Sequence, residues 1–138
     1  MKKKGFTLVE LLAVIAILAI LVVIAMPNVL GMFNSSKKNT FVTEVQNILK
    51  QAATDYVQDS LNYNANYNYT SAGENKLSIE TAKNYNIQLD SQGNVIKAQV
   101  WDTTFCYSAT GSTAAPIKYT AVNADALEDY KADGACKQ

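Results

Sequence analysis

The chain contains no histidine and no arginine, and these two absences narrow its chemistry at once. Without histidine there is no histidine-dependent catalytic triad and no histidine ligand for a metal. The two cysteines do not form a Cys-x-x-Cys pair, and no glycine-rich phosphate-binding loop is present. The sequence therefore predicts a protein that is not an enzyme and that needs no metal and no other cofactor.

An excess of positive charge is missing as well, since the formal net charge is zero. Three of the twelve lysines precede Gly5, so the rest of the chain carries nine lysines against twelve acidic residues. No specific nucleic-acid binding is predicted, because that function requires a basic face. Four acids lie near the end of the chain, but their spacing fits no calcium loop, and we expect a solvated acidic face instead. These acids are Asp125, Glu128, Asp129 and Asp133.

What the chain has in abundance is an apolar segment at its start. Residues 8–26 come close to the roughly 20 residues that span a bilayer, and the lysines before them predict a cytoplasmic amino terminus. A secretory signal peptide, which is cut off and discarded, begins in the same way. Two features count against that alternative: the run is long, and no small-x-small cleavage site follows Met26. The sequence therefore predicts a retained anchor with the rest of the chain outside the membrane.

Glu10 is the anomaly within this segment. A carboxylate inside a membrane helix is costly, and such residues tend to be paired and functional. No lysine lies one helical turn away from Glu10. We therefore expect its charged partner to come from another molecule or from a chain terminus. The alternative is that Glu10 only reaches back to the lipid headgroups from near the helix end.

The segment KGFTLVELL, residues 4–12, closely resembles the amino-terminal class III signal of type IV pilins. The resemblance extends over roughly residues 4–32 and does not include the remainder. It implies that a prepilin peptidase cleaves between Gly5 and Phe6 and methylates the new amine of Phe6. It also implies that Glu10 meets the Phe6 amine of a neighbouring subunit during assembly. Each of the two buried charges would then offset the other, and the pair would fix the register between subunits.

The resemblance also matches Pro27 to the proline that interrupts the apolar helix of the family. Proline removes one backbone donor, and Gly31 adds a second weak point one turn later. Together they predict a kink where the helix bends or loosens during assembly. The alternative is a simple loop between the anchor and the domain that follows it.

The chain divides into three predicted parts. Residues 1–5 are the leader peptide, residues 6–33 the transmembrane or filament-core helix, and residues 34–138 a globular domain that includes the amphipathic half of the helix. The predicted fold class is α+β, in which a long helix has a protruding apolar half and an amphipathic half packed on a small antiparallel sheet. This is the pilin fold that the resemblance implies.

Within the globular domain, apolar residues at helical spacing predict an amphipathic helix from Thr40 to about Asp59. The Asn/Tyr-rich residues 61–70 predict an exposed loop, and Ser78–Tyr85 predicts a short helix. Three strands follow in the prediction, with Trp101 and Phe105 as core residues. The strands are Val95–Trp101, Thr103–Thr110 and Ile117–Val122.

Cys106 and Cys136 belong to the part of the chain that is expected outside the membrane, where disulfides persist. A bond between them would hold the carboxy-terminal tail. Many type IV pilins have a disulfide-bounded region at this end, so the resemblance implies the same pairing. Two unrelated thiols are the alternative.

The function implied is a structural subunit of a type IV pilus. It would be inserted in the bacterial membrane as a prepilin and polymerised through its helix into a surface filament for adhesion, motility or biofilm formation. The implied partners are other copies of the chain, the prepilin peptidase, and a membrane assembly platform with its assembly ATPase. Two alternatives remain open: a pseudopilin of a type II secretion or DNA-uptake machine, and a membrane-tethered monomeric binding domain.

Overall fold

The computed structural model describes residues 5–63 and 66–136. Most of the predicted leader, residues 1–4, lies outside this range, as do residues 64–65 of the predicted loop. One long helix precedes a sheet, and short 3-10 turns cover Tyr119–Ala121 and Ala124–Ala126. The main elements are α1 (Leu8–Leu61), β1 (Asn68–Thr70), β2 (Asn84–Leu89), β3 (Val95–Trp101), β4 (Phe105–Thr110) and β5 (Leu127–Asp129).

The chain forms two compact units, the first ending at Lys37 and the second starting at Lys38. In the first unit, α1 continues through Pro27 without a break. The alternative of a loop after the apolar run is therefore wrong. Pro27 costs the helix about 3 kcal/mol, because proline removes one amide donor and its ring crowds the carbonyl four residues earlier, but the residues on either side keep the helical course.

The second unit is an α+β structure, as predicted. Its sheet has the order β1-β2-β3-β4-β5, and each neighbouring pair is antiparallel. The second half of α1 contributes one buried stripe to the core that this sheet completes. The stripe repeats every three or four residues, which is the period of a helix face. Its members are Phe41, Val45, Ile48, Leu49, Ala52 and Tyr56.

Strand β2 alternates between the core and the opposite face of the sheet. In β2, Tyr85, Ile87 and Leu89 are buried, whereas the residues between them are partly exposed. Ile87 is paired with Ala98 of β3, which is also fully buried. This period of two follows from the pleat of a strand and fixes the register of the pair.

The predicted helix at Ser78–Tyr85 is absent, because its residues bind partners outside their own segment. The amide of Ser78 donates to Asp55 Oδ2 on α1 at 2.6 Å, and the Tyr85 hydroxyl accepts the amide of Leu77 at 2.9 Å. Tyr85 itself lies in β2.

Two further element predictions differ from the structure. Ile117–Val122 is not a strand: the Ile117 amide donates to the Val95 carbonyl, after which the chain turns into Tyr119–Ala121. Part of the Asn/Tyr-rich loop is a strand instead, since Tyr69 pairs with Ile87 and is only 2% exposed. Tyrosine suits a strand with one buried face, and that preference outweighs the turn preference of the neighbouring asparagines.

The second of the three predicted strands starts at Thr103, whereas the corresponding strand in the structure, β4, begins at Phe105. The Asp102 side chain accepts hydrogen bonds from the amides of Thr104 and Phe105 and turns the chain before β4. Trp101 and Phe105 are both 8% exposed, so their prediction as core residues is confirmed.

Candidate functional site

The candidate site is the amino-terminal end of α1, where Thr7 and Glu10 bond to each other reciprocally. The Thr7 amide donates to Glu10 Oε2 at 2.8 Å, and the Glu10 amide donates to Thr7 Oγ1 at 3.2 Å. This is a capping box, which satisfies two of the amides that a helix start leaves without partners. The arrangement holds the Glu10 carboxylate at the first turn, where the helix dipole favours a negative charge.

The capping box gives Glu10 a role within its own chain, since the neutral Thr7 amide donates to Oε2. The charged partner expected from another molecule or from a chain terminus stays a prediction. Thr-x-x-Glu immediately before an apolar run is the signal that would have revealed this role. The cap does not exhaust the carboxylate, because each of its two oxygens can accept hydrogen bonds.

Phe6 is the residue next to the cap and is 91% exposed. All large apolar side chains that the structure describes between Phe6 and Phe33 are exposed as well. Burying one such side chain is worth roughly 1.5–3 kcal/mol, so this surface is strongly unfavourable in water. An apolar patch of this extent marks a membrane or protein contact.

The same segment has the length and composition of a membrane span. Among the described helices, only α1 is long and apolar enough to cross a bilayer. Its most apolar window has a mean hydropathy of 3.2, and none of that window is buried within the chain. A signal sequence near an amino terminus has the same length and hydropathy. The residues before the apolar run are therefore needed to tell a signal sequence from a retained helix.

Around the predicted kink at Pro27 and Gly31, the structure gives the packing at Gly31 and one side-chain hydrogen bond. A Cβ added at Gly31 would meet no heavy atom within 4 Å, so close packing inside this chain does not require glycine there. Ser35 Oγ donates to the Gly31 carbonyl at 3.2 Å, a hydrogen bond of the kind that often accompanies helix bending. Sequence reasoning did not identify Ser35. The kink itself stays a prediction.

At the other end of the chain, Cys106 and Cys136 form a disulfide bond with a Cα–Cα distance of 5.9 Å, as predicted. Cys136 is completely buried, and Trp101 and Tyr130 pack around the bond. The bond therefore attaches the carboxy-terminal segment to β4. Within residues 5–63 and 66–136, no group of three acidic, histidine or cysteine side chains is arranged to hold a metal ion.

Comparison with known families supports the interpretation of the amino terminus. Residues 1–26 match the family described as prokaryotic N-terminal methylation motif. The amino terminus thus carries a class III signal typical of type IV pilins, as the resemblance predicted. No curated protein and no solved structure matches the chain.

Proposed function

We propose that the chain is a structural subunit of a type IV pilus, made as a membrane-anchored prepilin and polymerised through α1. The observation that carries the proposal is the methylation motif at residues 1–26, which includes the start of an exposed apolar helix that continues beyond it. A signal peptide alone would not need a helix that continues into a folded unit beyond it. Here α1 ends only at Leu61, and its second half contributes to the core of the second unit.

In the proposed pathway, the leader lysines hold the amino terminus in the cytoplasm while α1 spans the membrane. Prepilin peptidase cleaves the Gly5–Phe6 bond and methylates the Phe6 amine. Extraction by the assembly platform and its ATPase then transfers the apolar surface from lipid to neighbouring helices. That surface stays out of water in both states, so the transfer does not expose it.

The Phe6 amine and the Glu10 carboxylate would provide the specific contact between copies. One subunit's amine lies at the very end of its helix after cleavage, and the neighbour's Glu10 is held in place by its cap. An unpaired charge in an apolar bundle is unfavourable, so only the register that joins the two charges is favoured. A kink at Pro27 and Gly31 would allow the helix to adjust as subunits pack.

The test is to shear surface filaments from cells that produce the chain and to analyse them by electron microscopy and mass spectrometry. We expect filaments that contain the chain with N-methylated Phe6 as its first residue. A Gly5→Val variant is the control, since a branched side chain at the cleavage site should block processing and keep the chain in the membrane fraction.

The same experiment separates the alternatives. A processed chain that never leaves the cell envelope, even when overproduced, would favour a pseudopilin. An intact Met1 with the chain anchored as a monomer would favour the tethered binding domain. A chain cut after Met26 and released would show that the apolar segment is only a signal peptide.

A further inference from the structure

Three charged side chains meet at one end of the sheet in the second unit. Lys83 Nζ lies 2.6 Å from Asp102 Oδ2 and 3.1 Å from Glu44 Oε2. The side chains of Lys83 and Asp102 are only 19% and 21% exposed, and that of Glu44 is 40% exposed. The Lys83 amine is therefore in contact with two carboxylates: that of Asp102, with which it could form an amide, and that of Glu44.

The register of the sheet brings the amine and the carboxyl group together. Asn84 is paired with Trp101, so Lys83 and Asp102 occupy the next opposed positions, just before β2 and just after β3. Glu44 comes from α1, one turn after Phe41, whose ring centroid is 5.3 Å from Lys83 Nζ. Two opposed strand ends and a packed helix thus hold the three groups.

The carboxyl group of Asp102 is also polarised from its other oxygen. Asp102 Oδ1 accepts the amides of Thr104 at 2.6 Å and of Phe105 at 2.8 Å. Two converging backbone amides are what an oxyanion hole supplies when a carbonyl oxygen gains negative charge. The same two hydrogen bonds turn the chain before β4, so the local backbone fixes these donors in place independently of Lys83.

We propose that Lys83 and Asp102 join covalently in an intramolecular isopeptide bond, with Glu44 transferring the protons. The product is an amide between Lys83 Nζ and Asp102 Cγ, and the only other product is water. It would fasten β2 to β3 at the end of the sheet where α1 enters the core.

The steps balance without any other reactant. Nζ first passes a proton to Asp102 Oδ2, which leaves a neutral amine beside a neutral carboxylic acid. The Nζ lone pair attacks Cγ, and the charge that develops on Oδ1 is held by the two amides. Glu44 takes a proton from the nitrogen and gives it to Oδ2, which departs as water as the carbonyl re-forms.

The pKa values of Lys83 and Asp102 make this reaction slow, because they favour the charged forms of both groups. Burial lowers the pKa of Lys83, but the hydrogen bonds and charges of Asp102 and Glu44 outweigh it and leave that pKa raised. Burial raises the pKa of Asp102, and the bonds from Lys83, Phe105 and Thr104 outweigh it and leave that pKa lowered. The resting pair is ionic and the neutral pair is a minor species. A single slow event suffices, because fixed proximity greatly favours the intramolecular reaction and the bond needs to form only once.

The test is mass spectrometry of the full chain, purified in detergent and kept folded overnight. After reduction of the disulfide, we expect the intact mass to be lower than the sequence mass by one water. Trypsin should then release residues 77–97, uncut at Lys83, linked to residues 98–118. The linked pair distinguishes the cross-link from a cyclised aspartate, which loses the same mass. A full mass with tryptic cleavage at Lys83 would show an ion pair only and overturn the proposal.

Variants assign the roles of the three groups. Lys83→Arg keeps the cation and should abolish the mass loss, whereas Lys97→Arg on the neighbouring strand should retain it. Asp102→Asn should lose ammonia in place of water, and a persistent loss of water would place the bond elsewhere and overturn the assignment. Glu44→Gln should slow cross-linking by at least about tenfold, since general acid–base catalysis contributes more than that. An unchanged rate would remove Glu44 from the mechanism.

Discussion

Tyr69 donates its hydroxyl hydrogen to Asp59 Oδ2 across 2.7 Å, which connects the edge strand β1 to the last turns of α1. Asn66 donates to the same oxygen at 3.2 Å. Burial, the hydrogen bond to Asp59 and the negative charge of that carboxylate all raise the pKa of Tyr69. Asp59 thus accepts a hydrogen bond from β1, and Asp55 accepts one from the Ser78 amide. These two carboxylates of α1 hold the segment between α1 and β2 in place.

Tyr69→Phe should destabilise the second unit by about 1.5–3 kcal/mol, because it removes a hydrogen bond to a charged acceptor. The raised folded-state pKa means that this contribution is complete below the ordinary tyrosine pKa of 10.0 and is lost as the pH rises above it. Urea unfolding at about pH 8 and about pH 10.5 should show a smaller alkaline loss in the variant than in the parent chain. Tyr119→Phe, at an exposed position, is the control and should behave like the parent chain.

Gly93→Ala should destabilise the turn between β2 and β3 by about 2–4 kcal/mol. Gly93 has a φ of +82°, and an added Cβ would lie 2.6 Å from Cδ1 of Tyr56. The ring cannot move freely, since the Tyr56 hydroxyl donates to the Ser91 carbonyl at 2.8 Å. Thermal unfolding should show the loss, while Gln92→Ala in the same turn should leave the midpoint nearly unchanged.

Because of Asp90, the stability of this turn should fall as the pH is lowered into the acidic range. The pKa of Asp90 is lowered, mainly because the Asn94 amide donates a hydrogen bond to its carboxylate. Burial raises this pKa, but further hydrogen bonds from the Asn94 side chain and the Gln92 amide outweigh burial. A lowered folded-state pKa gives stability that is present above the ordinary value of 3.8 and is lost as the pH falls through the folded value. Asp90→Asn should therefore be less stable at neutral pH and lose less on acidification. Equal acid dependence in both chains, measured by urea unfolding, would contradict this role.

The disulfide should contribute about 3–4 kcal/mol, the value expected for closing a loop of about 30 residues. Replacing both cysteines by serine avoids a lone thiol and should lower the urea midpoint by the corresponding amount. Membrane association should not change, because Cys106 and Cys136 lie in the second unit and the exposed apolar surface lies in the first. Loss of membrane association in the double variant would show that the two units depend on each other.

The sequence was most informative where a single physical requirement governs a whole segment. The apolar period of the second half of α1 follows from burial and was predicted, and so was the strand Val95–Trp101, which is β3. It was least informative where side chains bind distant backbone groups. Ser78 is held by Asp55, 23 residues earlier, and so the apolar and polar spacing around it suggested a helix that does not form. The strands β1 and β5 have three residues each, too few for a period to be recognised.

At the candidate site, the order of residues predicted the class III signal, but the capping box of Thr7 and Glu10 was not predicted. Both roles use the same carboxylate, and a sequence pattern does not rank them. The structure shows the intramolecular contacts of Glu10 with Thr7, whereas the contact with a neighbour's Phe6 rests on the proposed assembly.

Substitutions at Glu10 can separate these two roles. Glutamine serves in a capping box as well as glutamate, so Glu10→Gln keeps the acceptor for the Thr7 amide but removes the charge. Thr7→Ala removes the hydroxyl that accepts the Glu10 amide and keeps the charge. Membrane fractionation should show all variants inserted and cleaved, because neither step uses the carboxylate charge.

If Glu10 neutralises a neighbour's amine, Glu10→Gln and Glu10→Ala should both lower the recovery of sheared filaments by at least about tenfold, because each added subunit would bury an unpaired amine. Thr7→Ala should then have the smaller effect, since it loses only part of a cap. If Glu10 is only a cap, the order reverses: Glu10→Gln should assemble normally, while Thr7→Ala and Glu10→Ala should be impaired alike. Normal filament yield from Glu10→Gln would therefore rule out charge pairing. An intermediate yield that improves when the Phe6 amine is deprotonated at high pH would support it, because a neutral amine no longer needs a carboxylate partner.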